Sequence, residues 1–257
     1  MTASVSLAQA LKGMASPMSM EAALDPFLLK QSSKLSPMRI AWTLQNRLIE
    51  RRANREAEAA LPLAAPSIVH LENDRGGAQE DTAVTLTQLD LLLAAQREAS
   101  AINPNLVEIG SFRGATTAQF AANTHGTVYA VDPFAGYGGS EEDFAKFRLR
   151  TAQIANVDHI RKTSGAAAAT LPDASVGMVF IDGVHDFSNS WFDFSAWSGK
   201  VAPGGMIAFH DVDDHPGVRL AVRNLIEKDL GYAIWAYCPN LIIFTKPAGK
   251  ALQSSGD

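Results

Sequence analysis

The chain reads as an α/β protein: a mostly parallel sheet with helices on both faces and an antiparallel hairpin at its C-terminal end. Three observations predict this. Short apolar runs of buried-strand type recur at 106–109, 127–131, 159–163, 178–181 and 206–209, the third of them weak, and each leads into a helical pattern. A glycine or an acid follows at the carboxyl end of the other four, as Gly110, Asp132, Asp182 and, after His210, Asp211. Two final runs, 232–237 and 241–245, are separated only by Cys238-Pro239-Asn240, which reads as a hairpin at the sheet edge.

A length of 257 residues suits one large α/β domain with an appendage. Hydrophobic residues at 47% and charged residues at 19% are ordinary for a globular protein. The net charge of -5 leaves no electrostatic footprint for nucleic acid or an anionic membrane surface, so neither is expected as a partner. Cys238 is the single cysteine, which excludes an internal disulfide and any multi-cysteine metal site and fits a reducing compartment. The first 20 residues lack a basic segment followed by an apolar core, and no run reaches the roughly 18 apolar residues of a membrane span. The expectation is a cytoplasmic enzyme.

Taken in order, residues 1–35 read as a loosely organised leader with one short helix. Ser36-Pro37 then has the form of an N-cap followed by first-turn proline, opening a helix to about residue 60 with Met38, Ala41, Trp42, Gln45, Leu48 and Ile49 on one face. Its other face carries Arg47, Arg51, Arg52 and Arg55 among Glu50, Glu56 and Glu58, either a solvated ion-paired surface or a patch for an anionic acceptor. Residues 61–77, with two prolines and Asn-Asp-Arg-Gly-Gly, read as a linker, so 1–77 is taken as an N-terminal helical extension and 78–257 as the main domain. A strongly apolar helix at 85–100 is expected to cover one sheet face.

The stretch 106–117 is the most informative. Leu106, Val107 and Ile109 form a strand that breaks into a helix at Thr116 and Thr117, with Gly110 and Gly114 in the turn and Ser111 between them. Glycine lets backbone approach a ligand closely, and the helix start offers free amides. The spacing is Gly-x-x-x-Gly, not the Gly-x-Gly-x-x-Gly of dinucleotide sites, which disfavours a nicotinamide dehydrogenase. Glu108 is the odd residue in the apolar run, and a buried carboxylate there needs a partner.

The next run ends in Asp132-Pro133, where the carboxylate can accept both hydroxyls of a ribose or can simply form the turn before proline. Glu141, Glu142 and Asp143 sit at a helix start, where the macrodipole favours acids, and are not expected to hold metal. After the weak third strand comes Gly165-Ala166-Ala167. The fourth strand delivers Asp182-Gly183-Val184-His185, and the fifth delivers His210-Asp211, at the sheet end where ligands of open α/β sheets gather. The helix between them, 187–197, carries Trp191, Phe192, Phe194 and Trp197 to pack the sheet. His215 falls at the N-cap of a helix opened by Pro216.

Glu108-x-Gly110-x-x-x-Gly114 resembles motif I of the class I S-adenosylmethionine (SAM) methyltransferases. The order of five strand-helix units and a hairpin resembles their Rossmann-like seven-stranded sheet across roughly 85–247. Phe180-Ile-Asp-Gly-Val-His185, Trp197 before Pro203-Gly-Gly205, Phe209-His-Asp211 and His215-Pro-Gly-Val218 look like the bacterial group labelled family 24, related to sugar and small-molecule O-methyltransferases. The resemblance implies a SAM site made by Glu108, Gly110, Ser111, Gly114, Thr116, Asp132, Pro133, Gly165, Ala166 and Asp182. The chain departs from the pattern at Ala166 and Ala167, where relatives often place Asp and Ser, leaving backbone amides for the adenine edge.

The resemblance further implies methyl transfer to a hydroxyl of a small molecule, a sugar or natural-product intermediate, by in-line displacement. Asp182 and Asp211 would share a divalent ion such as Mg²⁺, or else cap the turns that follow them; Val184 and Val212 stand where relatives place further acids. His185 is the first candidate for general base, with His210 and His215 as runners-up, and each has a structural reading as well. The alternative function is a SAM-binding partner or regulator without transfer activity. A homodimer is compatible with everything above.

Overall fold

The computed structural model describes residues 25–56, 61, 69–70, 81–136 and 139–248. The expected leader up to residue 24, the residues beyond 248, and the linker apart from residues 61, 69 and 70 lie outside the described residues.

The elements follow in the order α1 (Pro26–Gln31), α2 (Pro37–Glu56), β1 (Val69–His70), α3 (Leu86–Ser100), β2 (Leu106–Ile109), α4 (Ala115–Ala122), β3 (Val128–Val131) and α5 (Glu141–Thr151). They continue with β4 (Val157–Ile160), α6 (Ser164–Ala168), β5 (Val176–Ile181), α7 (Phe187–Trp197), β6 (Val201–His210), α8 (Pro216–Glu227), β7 (Ala233–Cys238) and β8 (Leu241–Thr245). All eight strands form one sheet in the order β1-β7-β8-β6-β5-β2-β3-β4. Strands β2 to β6 are mutually parallel, and β8 runs antiparallel to both β6 and β7. This is the seven-stranded sheet with a C-terminal hairpin that the strand order implied. The short β1, inside the expected linker, adds an eighth member by pairing parallel with β7.

Every residue of β2 and β5 is buried, which explains why these strands read as continuous apolar runs. Alternation along β5 sends Met178 and Phe180 to one face, where they meet Leu92, Ala95 and Ala99 of α3. Val179 and Ile181 point to the other, against Trp197 and Phe194 of α7 and Val222 and Leu225 of α8. Helix α3 begins on a capping box, in which the Thr85 hydroxyl accepts from the Gln88 amide and the Gln88 side chain accepts from the Thr85 amide.

Two boundaries and one helix face differ from the sequence reading. Strand β4 ends at Ile160, so Thr163 is not its last residue but the N-cap of α6. Strand β6 begins at Val201, and the expected turn 201–205 lies within it as an irregularity between its pairings with Val176 and Met178. Glycine permits this close approach: a side chain at Gly205 would meet the Gly177 carbonyl oxygen at 2.4 Å. Helix α2 also turns a different face inward. Asn46 and Ala53 are buried and Trp42 and Ile49 half-buried, while Met38, Ala41, Gln45 and Leu48 are exposed. Small and polar residues made the seam because Asn46 accepts a hydrogen bond from Ser188 of α7 and Glu56 approaches Arg223 of α8 at 3.9 Å. Periodicity of apolar residues alone centred the face on Met38, Ala41 and Gln45, and the observed seam keeps only Trp42 and Ile49 of it.

The register sets up the functional rim. Ile109 stands level with Val131 on one side and Ile181 on the other, and Ile181 is level with Phe209. One residue further on, Asp132, Gly110, Asp182 and His210 therefore come in a row along the carboxyl edge. The chain leaves β2 for β3 on one side while β5 and β6 lie on the other, so this row spans the crevice where ligands of such sheets bind.

Candidate active site

At the centre of the rim, Gly110 has φ +87°, and a side chain there would collide with the Asp182 carbonyl oxygen at 2.1 Å. Only glycine lets β2 and β5 part this narrowly. Gly114 has φ +75° and caps α4, and a side chain there would meet the Phe147 ring at 2.9 Å, so it shapes the turn from behind and does not line the cavity. Glu108, nearly fully buried, accepts from the Thr117 hydroxyl, the partner its position demanded. Burial pushes its carboxyl well above the usual range, against the Thr117 hydrogen bond, with the nearby charges of Asp182 and Asp132 adding to the rise. The Ser111 hydroxyl is buried with no hydrogen-bond partner among the described residues.

Asp132 is also buried, and its two oxygens accept from the amides of Phe134 at 2.7 Å and Phe112 at 3.0 Å. Burial raises its carboxyl and the two amides pull it back. The turn reading holds, since Asp132 builds the turn at Pro133; both residues line the cavity, and two accepted hydrogen bonds do not exhaust the acceptor capacity of a carboxylate.

The cavity beside them holds about 330 Å³, within the range of small-molecule sites. Glu108, Gly110, Ser111, Thr116, Asp132, Pro133 and Asp182 of the expected cofactor set line it, while Gly165 and Ala166 do not. Ala166 is exposed, and Gly165 packs on Phe192. Thr163 and Ser164, just before them, take the cavity wall instead, because β4 ends earlier than its sequence suggested.

Several wall residues had no motif to announce them. Asp193 of α7 is buried, and burial pushes its carboxyl up to about 7, with the Ser164 hydroxyl opposing and Asp25 and Asp186 adding to the rise. Ser164 accepts from the Trp197 indole at 2.8 Å, so its own hydrogen is free for Asp193. Asp25 and Phe27, at the start of α1, close this end. Over the opposite side lie Asp81, Thr82 and Ala83, clasped by ion pairs from Asp81 to Arg113 at 2.7 Å and to Arg150 at 3.0 Å. An acid within an aromatic helix is the one signal that could have singled out Asp193; the Asp25-Pro26 pair signals only a helix start.

At the other end of the row stand Asp182, His185, His210 and Asp211. The His185 Nε2 lies 3.1 Å from Asp211 and 3.7 Å from Asp182, and the His210 Nδ1 lies 3.2 Å from Asp182 and 3.4 Å from Asp211. All four contacts are close enough for ion pairing, yet neither nitrogen makes an aligned hydrogen bond. Burial would raise Asp182, but the His210 charge and the contacts with His185 and His210 hold it down at about 2. Burial likewise opposes the charge on His210, and Asp182 and Asp211 overcome it, raising the imidazole to about 10. His185 rises too, for burial is outweighed by Asp182 and Asp211. The two differ in access: the His185 side chain is 33% exposed and lines the cavity, whereas that of His210 is 2% exposed and does not.

His215 caps α8 without a side-chain hydrogen bond, and its ring lies 4.4 Å from that of His185, behind the cavity wall. Asp213 is occupied by Arg219, Tyr237 and the Asn240 amide, and Asp214 by Asn240, so neither turns toward Asp182.

Residues 107–212 match a family described as a methyltransferase domain. An uncharacterized protein of Acanthamoeba polyphaga mimivirus is 31% identical over 130 residues, 47% of this chain and 58% of its own length. An uncharacterized protein of Sinorhizobium fredii is 26% identical over 111 residues, 43% of this chain and 11% of its own. The chain thus spans little more than half of the first relative and a small part of the second. Among solved structures, the O-methyltransferase NovP superposes with a TM-score of 0.56 at 17% identity, over 66% of this chain and 84% of that one. A Staphylococcus aureus protein proposed to be a caffeoyl-CoA O-methyltransferase gives 0.52 at 16% identity, over 88% and 98%. At such identities the likeness is one of fold, and it is the class I methyltransferase fold. The segment that matches the methyltransferase-domain model, 107–212, holds the rim row from Glu108 to Asp211.

Proposed function

We propose that this protein transfers a methyl group from SAM to a hydroxyl of a small molecule. The observation that carries the reading is the single cavity that joins the Gly110 bend and Asp132 to Asp182, His185 and Asp211. The donors present fit the cofactor. A buried Glu108 calls for a cation such as an ammonium, Asp132 offers acceptors for a diol, and the unpartnered Ser111 hydroxyl faces the same space. When bound, SAM supplies an electrophilic methyl on a sulfonium.

The remaining work falls to the chain. Gly110 would bring backbone against the amino-acid end of the cofactor, Asp132 would orient its ribose, and Thr163 and Ser164 would border its base. His185, whose side chain lines the cavity, takes the acceptor's hydroxyl proton, and the carboxylates of Asp182 and Asp211, which face its buried Nε2, then stabilise the imidazolium. Holding the hydroxyl in line with the methyl at about 3 Å supplies much of the rate. His210 is a positioning residue, too buried to meet the acceptor.

Mg²⁺ fits this rim poorly. It takes near-octahedral oxygen ligands, and the oxygens of Asp182 and Asp211 have the His210 nitrogen standing between them. No step is assigned to it.

Titration calorimetry with SAM and S-adenosylhomocysteine, followed by a screen of hydroxylated acceptors for S-adenosylhomocysteine release, tests the proposal. Binding of both with turnover of a hydroxylated acceptor is the expected result. Binding without turnover of any acceptor would favour the partner or regulator reading, and no binding would end both.

A further inference from the structure

We infer that Asp193 and Asp25 read the edge of a 6-aminopurine base, Asp193 as a hydrogen-bonding acid and Asp25 as the acceptor, so that nucleoside binding takes up a proton. The assignment rests on the proposed SAM site and concerns the end of the cavity away from His185 and Asp211.

That end lacks the expected side chains. Thr163 and Ser164 line it, but Gly165 and Ala166, which follow, do not. An adenine presents two adjacent groups at one edge, the 6-amino donor and the N1 acceptor, and a protein reads that edge with an acceptor beside a donor. Two carboxyls reach the same short segment. Asp193 is hydrogen-bonded to Ser164, and the Asp25 Oδ2 stands 3.1 Å from where a side chain at Gly165 would begin.

Asp25 supplies the acceptor. It is 2% exposed and lines the cavity; its Oδ1 accepts from the Phe27 amide at 2.9 Å, while its Oδ2 is buried with no hydrogen-bond partner among the described residues. Leaving a buried carboxylate oxygen unpaired is costly, and an amino group of a ligand would remove that cost.

Asp193 supplies the donor. It is 5% exposed, and the charges that face it are negative, Asp25 from α1 and Asp186 from its own helix. Its partner from α6 is the Ser164 hydroxyl, whose oxygen already accepts from the Trp197 indole and whose hydrogen is therefore directed to the carboxyl. Burial among these groups raises Asp193 to about 7, which keeps a large share of it in the acid form at neutral pH. One of its oxygens then takes the Ser164 hydrogen, and the other carries a proton that can be donated to a ring nitrogen, the use that buried carboxylic acids find elsewhere. Gly183, on the cavity wall, leaves room beside it, since a side chain there would stand 3.5 Å from the Asp193 Oδ2. A 6-oxo base reverses both edge groups and would set its carbonyl against the Asp25 carboxylate.

The test is calorimetric titration of the full chain with 5′-methylthioadenosine and 5′-methylthioinosine, at pH 6 and pH 8, in buffers of different ionisation enthalpy. These probes lack the ammonium that would meet Glu108, so the proton count reports the base end. At pH 6 the adenine form should bind at least about 10-fold more tightly than the hypoxanthine form. Its binding should take up about one proton at pH 8 and almost none at pH 6. Asp193→Asn keeps a donor but has no proton to gain, so it should abolish the uptake and retain the preference. Asp25→Asn sets a donor against the amino group and should weaken methylthioadenosine at least about 10-fold. Equal affinity for the two nucleosides at pH 6, or no uptake at pH 8 in the wild-type protein, would overturn the inference without recourse to any variant. S-adenosylhomocysteine titrated into the same sample separates the two failures: if it does not bind, the methyltransferase reading falls, and if it binds while base preference and uptake are absent, only this assignment falls.

Discussion

The two halves of the rim do their work with different material. On the β2 and β3 side, the site is mostly backbone: a glycine bend and the amides of Phe112 and Phe134, with the buried Asp132 carboxylate accepting from both amides. On the β5 and β6 side it is side-chain charge, with Asp182, His185, His210 and Asp211 packed within ion-pair distance. Backbone geometry tolerates almost no substitution but asks nothing of solvent, whereas the charged half depends on burial and on a second ring of partners such as Gln88. A half that holds a fixed ligand and a half that handles a proton would be expected to differ in this way.

The comparison breaks most completely where the halves touch. Gly110→Val should unfold or grossly weaken the protein, by more than ~3 kcal/mol, since its side chain would enter the Asp182 carbonyl and φ +87° is strained for any other residue. Thermal melting reads this directly, and a near-normal melting temperature with normal SAM affinity would show that the seam is softer than argued.

Next in size, His185→Asn should lower kcat by roughly 100- to 1000-fold while leaving the SAM Kd within about twofold. Equal loss in both quantities would erase the division of labour between the halves. On the opposite side, Asp132→Ala should weaken SAM by about 100-fold, the worth of charge-assisted hydrogen bonds, and should leave the acceptor half intact.

Smaller effects sharpen the picture through pH. The Asp193 carboxyl is raised from 3.8 to about 7, so the folded state holds a proton that the unfolded state has lost between those values. Stability from this group therefore falls as pH rises from about 4 to 7 and levels off above. Asp193→Asn should flatten that slope and gain on the order of 1–2 kcal/mol at pH 8, under a ceiling of roughly 4 kcal/mol for the full displacement. Melting curves at pH 5 and pH 8 check it; parallel curves for the two proteins would mean Asp193 is hydrated. Glu108→Gln should likewise stabilise the unliganded protein, by ~1 kcal/mol, while weakening SAM about 10-fold. If both quantities move the same way, Glu108 has no cation to meet.

How much of this was readable from residues alone follows the same division. The glycine bend, Asp132, Asp182 and His185 lie within a few residues of a strand end, and a short apolar run followed by glycine or acid is a local signal. The end of the third parallel strand was placed three residues late, at Thr163, because that strand, Val157–Ile160, is only partly buried and carries little apolar pattern to mark its end. The inward face of α2 was misread since its seam is made by Asn46 and Ala53, which no hydrophobic periodicity selects.

Local interactions along the chain, the apolar runs, the caps at Thr85 and Ser140 and the positive φ that only glycine accepts at Gly110, determined the order of elements and hence the sheet. What tertiary structure alone decided is which distant side chains became neighbours. Register set Asp182 beside His210; packing of α3 brought Gln88, 122 residues away, onto the far nitrogen of that ring; and α1 and α7 closed the cavity with Asp25 and Asp193. Burial and the charge states that follow from it are properties of those meetings. No segment carries them by itself, because the energy of a buried charge depends on everything that surrounds it.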